Sequence, residues 1–181
     1  IFVDIGMKIS LKKTIQFKNL SKDFNLIHYD RKYSSNFFFK SPIIHGINIS
    51  LMAISKYLKI RNVEITSMKI NFLHFILVDE KIFFKILKNK IEVYNNVNKK
   101  LEIYLKVKEN KKSKKNTLSK KIMAFFNFKK NFNSQLIKEL LFISKFIGSN
   151  NPGNGSLIQS IKITYSCQHI TKRKILVKKI V

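Results

Sequence analysis

Apolar and polar residues alternate through the middle of the chain with the period of two that half-buried strands require. Met68, Ile70 and Phe72 alternate with Lys69 and Asn71, and Leu101, Ile103, Leu105 and Val107 alternate with Glu102, Tyr104, Lys106 and Lys108. Ile82, Phe84 and Ile86, followed across the polar Lys88-Asn89-Lys90 turn by Ile91 and Val93, add a hairpin-like pair. Upstream the period changes. Ile47, Ile49, Leu51, Met52, Ile54, Tyr57 and Leu58 leave almost no polar face between residues 47 and 58. A helix that is apolar nearly all round is buried, so the strands are expected to wrap it.

The helix and its following strand recur. Leu51-Met52-Ala53-Ile54-Ser55-Lys56-Tyr57-Leu58 corresponds to Leu140-Leu141-Phe142-Ile143-Ser144-Lys145-Phe146-Ile147, and Ser67-Met68-Lys69-Ile70-Asn71-Phe72 to Ser160-Ile161-Lys162-Ile163-Thr164-Tyr165. The extra residues of the second copy fall in its Asn151-Pro152-Gly153-Asn154-Gly155 turn. Beyond Tyr165 only Ile175 to Val177 offers a further strand, so the second copy is expected to be incomplete. Between the copies, Lys108 to Asn116 is polar without periodicity and reads as an exposed loop. The expected organisation is a first unit at 1–108, a basic linker at 109–121 and a partial second unit at 122–181.

Composition narrows the partners only partly. A chain of 181 residues with 45% hydrophobic side chains can bury a sizeable core. The formal charge of +26 is compatible with polyanion binding. It is built almost wholly from Lys spread along a chain rich in Ile, Asn and Phe, the signature of a coding bias as much as of a binding surface. Cys167 is the only cysteine, which excludes an intrachain disulfide and a multi-cysteine metal centre. A reducing cytoplasm fits, and no apolar stretch reaches the ~18 residues of a membrane span. Ile1 rather than Met opens the sequence, as expected of a fragment or processed product, in which a targeting segment would be invisible.

Candidate chemistry concentrates in Ser21-Lys22-Asp23-Phe24-Asn25-Leu26-Ile27-His28-Tyr29-Asp30, followed by Phe39 and by Pro42-Ile43-Ile44-His45-Gly46. On a regular helix Asp23 and His28 would diverge, so their convergence needs a turn, and an Asx turn at Asp23 or Asn25 would supply it. The order and spacing of Ser21, Asp23, Asn25, His28, Asp30, Phe39, Pro42, His45 and Gly46 resemble the signature of the MaoC-like (R)-specific enoyl-CoA hydratases. The resemblance covers residues of roughly 15 to 75. It departs at Lys22, where the family has Gly, and at Leu26, where it has Pro; if that Gly needs positive φ, Lys22 strains the turn.

The resemblance implies an α+β hotdog fold, an antiparallel sheet around a central helix. With the repeat it implies a double hotdog whose incomplete second half lacks the Asp/His set and a His-Gly helix start in Asn131-Phe132-Asn133-Ser134-Gln135-Leu136. The implied activity interconverts trans-2-enoyl and (R)-3-hydroxyacyl thioesters of coenzyme A or acyl carrier protein. Adding water across a conjugated thioester needs a base for the water, an acid for C2 and a donor for the enolate oxygen. By resemblance Asp23 and His28 are the catalytic pair holding the water, and Asn25 fixes its neighbour. The Gly46 N–H polarises the thioester carbonyl at the helix N-terminus, and His45 anchors the helix start. The degenerate half would give room for a bulky acyl chain.

No cofactor is implied, and His74 and His169, read as isolated strand-associated histidines, suggest no metal site. A homodimer or an internally paired double hotdog is the expected assembly. The alternatives are a hotdog protein that binds or hydrolyses acyl thioesters and a basic nucleic-acid-binding protein. The second would have to use Phe125-Phe126-Asn127-Phe128-Lys129-Lys130, which no recognised motif frames.

Overall fold

A computed structural model of the chain describes residues 2–3, 6–109, 118–128, 134–150, 153, 155–166 and 169–179. Cys167, most of the expected linker, Asn131-Phe132-Asn133 and Asn151, Pro152 and Asn154 of the turn lie outside them. The elements are β1 (Phe2–Val3), α1 (Leu11–Ser21), α2 (Arg31–Ser34), α3 (Gly46–Ile60), β2 (Val63–Phe72), β3 (Phe83–Ile86), β4 (Lys90–Tyr94), β5 (Lys99–Glu109), α4 (Lys120–Phe126), α5 (Ser134–Lys145), β6 (Ser156–Ser166) and β7 (His169–Lys179). Among the described residues the strands make one antiparallel sheet in the order β1-β3-β4-β5-β2-β6-β7. β5 and β2 are neighbours in the sheet although β3 and β4 lie between them in sequence, because the chain crosses from β2 to the far side of β4 and returns through β3, β4 and β5.

The apolar run at 47–58 is α3. Ile47, Ile49, Leu51, Ala53, Ile54 and Tyr57 are all essentially inaccessible, facing the inward residues Met68, Ile70, Phe84, Ile91 and Ile103 of the sheet. This is the hotdog architecture, and truncating any one such large side chain would cost about 2–5 kcal/mol. Tyr57 keeps its polar tip satisfied by donating to the Lys88 carbonyl at 2.8 Å, which ties the helix to the β3–β4 turn.

The second copy carries its own helix and strand on the same sheet. The repeat maps Lys69 onto Lys162, and these two lysines are directly opposed in the β2–β6 ladder. The same shift maps the pair Met68↔Ile163 onto the pair Ile161↔Ile70. A ladder that maps onto itself in this way has a local two-fold axis, here passing between the two lysines. The sequence repeat and the strand register are therefore one fact seen twice. Helix α5 buries Leu136, Ile137, Leu140 and Ile143 beside α3 in the common core.

Two helices carry too weak an apolar pattern to be foreseen. Ser10 caps α1 by accepting from the Lys13 N–H, and Lys22 closes it in the left-handed region at φ 60°. Helix α4 brings Phe126 and Phe128 into the core, Phe126 edge-on to Phe17 at 6.1 Å. Those rings are packing residues and offer no stacking platform to a base. His74 stands in the loop after β2 rather than in a strand, while His169 opens β7. No described helix is long and apolar enough to cross a membrane.

Candidate functional site

The loop after α1 is folded by its own polar side chains. The Ser21 hydroxyl donates to the Phe17 carbonyl at 2.9 Å and accepts from the Asp23 N–H at 3.3 Å. Asp23 Oδ1 accepts from the Asn25 N–H at 3.2 Å, and Asn25 Oδ1 accepts from the Ile27 N–H at 3.4 Å. Two successive Asx turns thus bend the chain between Asp23 and His28, leading into the 3-10 turn Leu26–His28. Asp30 ends the segment by capping α2, accepting from the Tyr33 N–H at 2.8 Å. Leu26 opens its turn without the proline of the family pattern.

The bend brings Asp23 and His28 together in the interior, 4% and 6% exposed. His28 Nδ1 lies 2.8 Å from the Ile43 carbonyl. A carbonyl can only accept, so Nδ1 carries the proton and the Nε2 lone pair is left free for chemistry. His45, at the N-cap of α3, stacks on His28 with ring centroids 3.7 Å apart and meets Phe17 edge-on at 4.8 Å. Its ring makes no side-chain cap bond, and among the described residues neither ring nitrogen meets a partner in good hydrogen-bond geometry. His45 Nε2 is 3.8 Å from Asp23 Oδ2.

Burial dominates the electrostatics. It raises the Asp23 carboxyl above the ordinary carboxylate range, against the opposing pull of His28, the Ser144 hydroxyl and the Asn25 amide. It lowers His28, against the pull of Asp23 and the Ile43 carbonyl. His45 lies well below the ordinary imidazole value, from burial first and the neighbouring His28 second. The site thus favours a neutral imidazole beside an unusually basic carboxylate.

The second half of the chain supplies the other wall. Ser144 of α5 donates to Asp23 Oδ2 at 2.7 Å. Ser149, in the π-helical turn Phe146–Asn150, accepts from the Phe24 N–H at 2.8 Å and donates to the Lys22 carbonyl at 3.0 Å. Asn25 donates to the Ser156 carbonyl at 3.0 Å and accepts from the Gly155 N–H at 3.1 Å. Gly148 lies so close that a Cβ there would sit 1.8 Å from Asp23 Oδ1. Ser144, Gly148, Ser149 and Ser156 were not site candidates in the sequence. The one available signal was the repeat itself. Ser55 and Ser144 occupy matching positions in two apolar helices, and a buried hydroxyl there needs a partner. Ser55 finds the Phe126 carbonyl at 2.8 Å; Ser144 finds Asp23.

A cavity of about 710 Å³ opens beside these groups. Its polar end holds Asp23, Asn25, His28, His45 and Gly46, and its apolar walls include Phe72 and Phe75 from the first half and Ile147 and Leu157 from the second. The first-turn N–H groups of α3 lie at that polar end. The close neighbour of Gly46 is the Phe72 ring, which a Cβ would meet at 2.5 Å. Glycine is needed there for packing. An oxygen of Asp23 and a nitrogen of each imidazole lie within 4.8 Å of one another, close enough to consider a metal ion. The stacking argues otherwise. Near-parallel rings aim their in-plane lone pairs side by side rather than at one point, and His28 Nδ1 is committed to Ile43. Separations within 4.8 Å leave room for no more than a single water between the carboxylate and an imidazole.

The family profile described as MaoC like domain matches residues 3–115. The chain belongs to the MaoC-like domain family. A solved MaoC-like dehydratase superposes on 91% of this chain and 80% of its own length at 7% identity with a TM-score of 0.63, a likeness of fold that spans both halves. R-hydratase PhaJ1 from Pseudomonas aeruginosa is 16% identical over 65% of this chain and 90% of its own, with a TM-score of 0.49. The (R)-hydratase from A. caviae involved in PHA biosynthesis is 17% identical over 60% and 95%, also with a TM-score of 0.49. A search of curated proteins found no match. Membership of this hotdog family of hydratases and dehydratases supports hydro-lyase chemistry in general; the particular reaction is argued from the site.

Proposed function

We propose that the chain hydrates trans-2-enoyl thioesters to (R)-3-hydroxyacyl thioesters, or runs the reverse dehydration, with Asp23 and His28 as the acid-base pair. The observation that carries this reading is the fixed tautomer of His28 within one water's reach of a buried carboxyl. His28 Nε2 takes a proton from the bridging water as its oxygen bonds to C3. Asp23, in its protonated form, gives a proton to C2. The thioester carbonyl gathers the developing charge at the start of α3, where the Gly46 N–H and the helix dipole stabilise it. Proton return from the imidazolium to the carboxylate resets the pair.

In this reading the first unit, residues 1–108, carries the catalytic groups. The partial second unit, 122–181, carries none and acts as the wall against which Asp23 is set. Asn25 holds the two together, and His45 is the packing surface for the His28 ring rather than a proton carrier. The apolar walls would take an acyl chain whose length the second half limits. The substrate is a thioester of coenzyme A or acyl carrier protein.

Loss of enoyl absorbance on hydration of crotonyl-CoA tests the assignment in the parent, Asp23→Asn and His28→Ala. Each substitution is expected to lower kcat by about 10²-fold or more. Equal rates in all three proteins would overturn the assignment.

A further inference from the structure

We infer that the outer face of β2, β6 and β7 is a phosphate-binding site that receives the phosphopantetheine end of the thioester, with Lys69, Lys162 and Lys174 as its cations; this rests on the thioester reading above. The three lysines form one row across three strands. Lys69 is directly opposed to Lys162, and Lys162 to Lys174. All three are exposed. Like charges directly opposed across strands repel and weaken the ladder. Such a row persists without penalty to function where an anion is to be held against it.

The row differs from the lysines of the adjoining strands β4 and β5 that face carboxylates, although Lys106 and Lys172 elsewhere on the sheet are also without an ion pair among the described residues. Lys90 and Lys99 each lie within 2.9 Å of Glu92 and Glu102, a compensated cluster on β4 and β5. Among the described residues no carboxylate lies within ion-pair distance of Lys69, Lys162 or Lys174. What sets this place apart is that three such lysines are directly opposed in one row beside the local two-fold axis.

Shape and connection point the same way. The three lysines line a second cavity of about 450 Å³ that also takes in Leu176, itself 47% exposed and available to an apolar portion of a ligand. Phe72, Leu73 and Gln159 line both this cavity and the one that holds Asp23 and His28. The two cavities therefore adjoin at the end of β2, where an extended ligand could pass from one to the other. Lys69 is three residues back from Phe72, roughly 10 Å along the strand. A pantetheine arm joins an uncharged thioester to a phosphate through a chain long enough to cover that distance. An anion bound at its far end would fix the thioester without placing charge in the apolar cavity.

The test is calorimetric binding of coenzyme A, 4′-phosphopantetheine and pantetheine to the parent and to the Lys69→Gln/Lys162→Gln/Lys174→Gln variant, with circular dichroism to confirm the fold. The variant should lose coenzyme A affinity at least tenfold and leave pantetheine binding unchanged, and the parent's coenzyme A affinity should weaken as salt rises. An equal loss for 4′-phosphopantetheine identifies the arm's own phosphate as the group bound, the form shared with carrier protein. A loss confined to coenzyme A identifies the nucleotide phosphates. Unchanged coenzyme A affinity in the variant overturns the inference, as does a parent that binds neither phosphorylated ligand. Binding requires no turnover, so a parent that holds coenzyme A through these lysines but fails to hydrate enoyl thioesters would sink the hydratase reading alone.

Discussion

Replacing Gly148 by alanine places one methyl group against the Asp23 carboxyl and so tests whether the second half sets the geometry of the first. A Cβ at this position would stand 1.8 Å from Asp23 Oδ1 and 2.3 Å from its Cγ, whereas real Cβ contacts begin near 3.0 Å. Either the carboxyl or the π-helical turn must withdraw by about 1 Å or more, and a displacement of that size at a reacting group costs about 10²-fold in rate. The turn is poorly placed to move. Ser149 within it holds both the Phe24 N–H and the Lys22 carbonyl, and Ser144 before it holds the carboxyl itself. Asp23 therefore gives way, losing the 2.7 Å bond from Ser144 and its separation from His28.

Steady-state hydration of crotonyl-CoA should show a fall of about 10² in kcat with KM nearly unchanged, because the thioester grip lies elsewhere. Overpacking of this kind costs roughly 1–3 kcal/mol of stability, read from urea midpoints. Gly6→Ala is the control. It forces a milder but still close contact, 2.6 Å from Lys81 and Phe83 side-chain atoms, away from the site, and should turn over like the parent. A folded Gly148→Ala protein with the parent's kcat would refute the claim that the second half presses on Asp23.

Two further outcomes follow from the same loop. His28 and His45 are held below the ordinary imidazole value, so the native state resists protons that the unfolded chain accepts below pH ~6.5. Their contribution is complete above that pH and is lost as pH falls towards the native values, at up to about 1.4 kcal/mol per pH unit for each ring. Asp23, raised in the native state, opposes this where only the folded chain is protonated, so a net loss of about 1–3 kcal/mol is expected between pH 7.5 and 5.5. Urea unfolding across that range checks it, and a flat profile would contradict the buried neutral imidazoles. Lys22→Gly should stabilise the fold by about 1 kcal/mol, since Lys22 sits at φ 60° where a side chain is strained. A lower thermal midpoint in that variant would show that the αL cap carries no strain.

The sequence made legible whatever depended on periodicity and on local polar order. The α3 run, the alternating strands and the Asp23-to-His28 turn each follow from a neighbourhood of a few residues, and each stands in the structure within a few positions. Helix α1 escaped notice because it buries only Thr14, Phe17 and Ser21, a stripe too thin to rise above a lysine-rich background. The partners of Asp23 escaped for another reason. Ser144 and Gly148 lie more than a hundred residues away, and nothing in a serine or glycine near an incomplete repeat announces contact with a carboxylate.

The local two-fold supplies the missing link. A repeat that shares a strand ladder places its second helix beside the first, so Ser144 falls near the mouth of the opposite unit's loop whether or not its own unit retains chemistry. The copy provides half of the wall and the hydroxyl on Asp23, and the outer face of its strands carries two of the three lysines in the uncompensated row. Deleting it would leave the Asp23 carboxyl exposed to water on the side now closed by Gly148. Desolvation, the largest influence raising that carboxyl, would go with it. Asp23 and His28 are written in the first half, but much of the environment that tunes Asp23 is folded from the second.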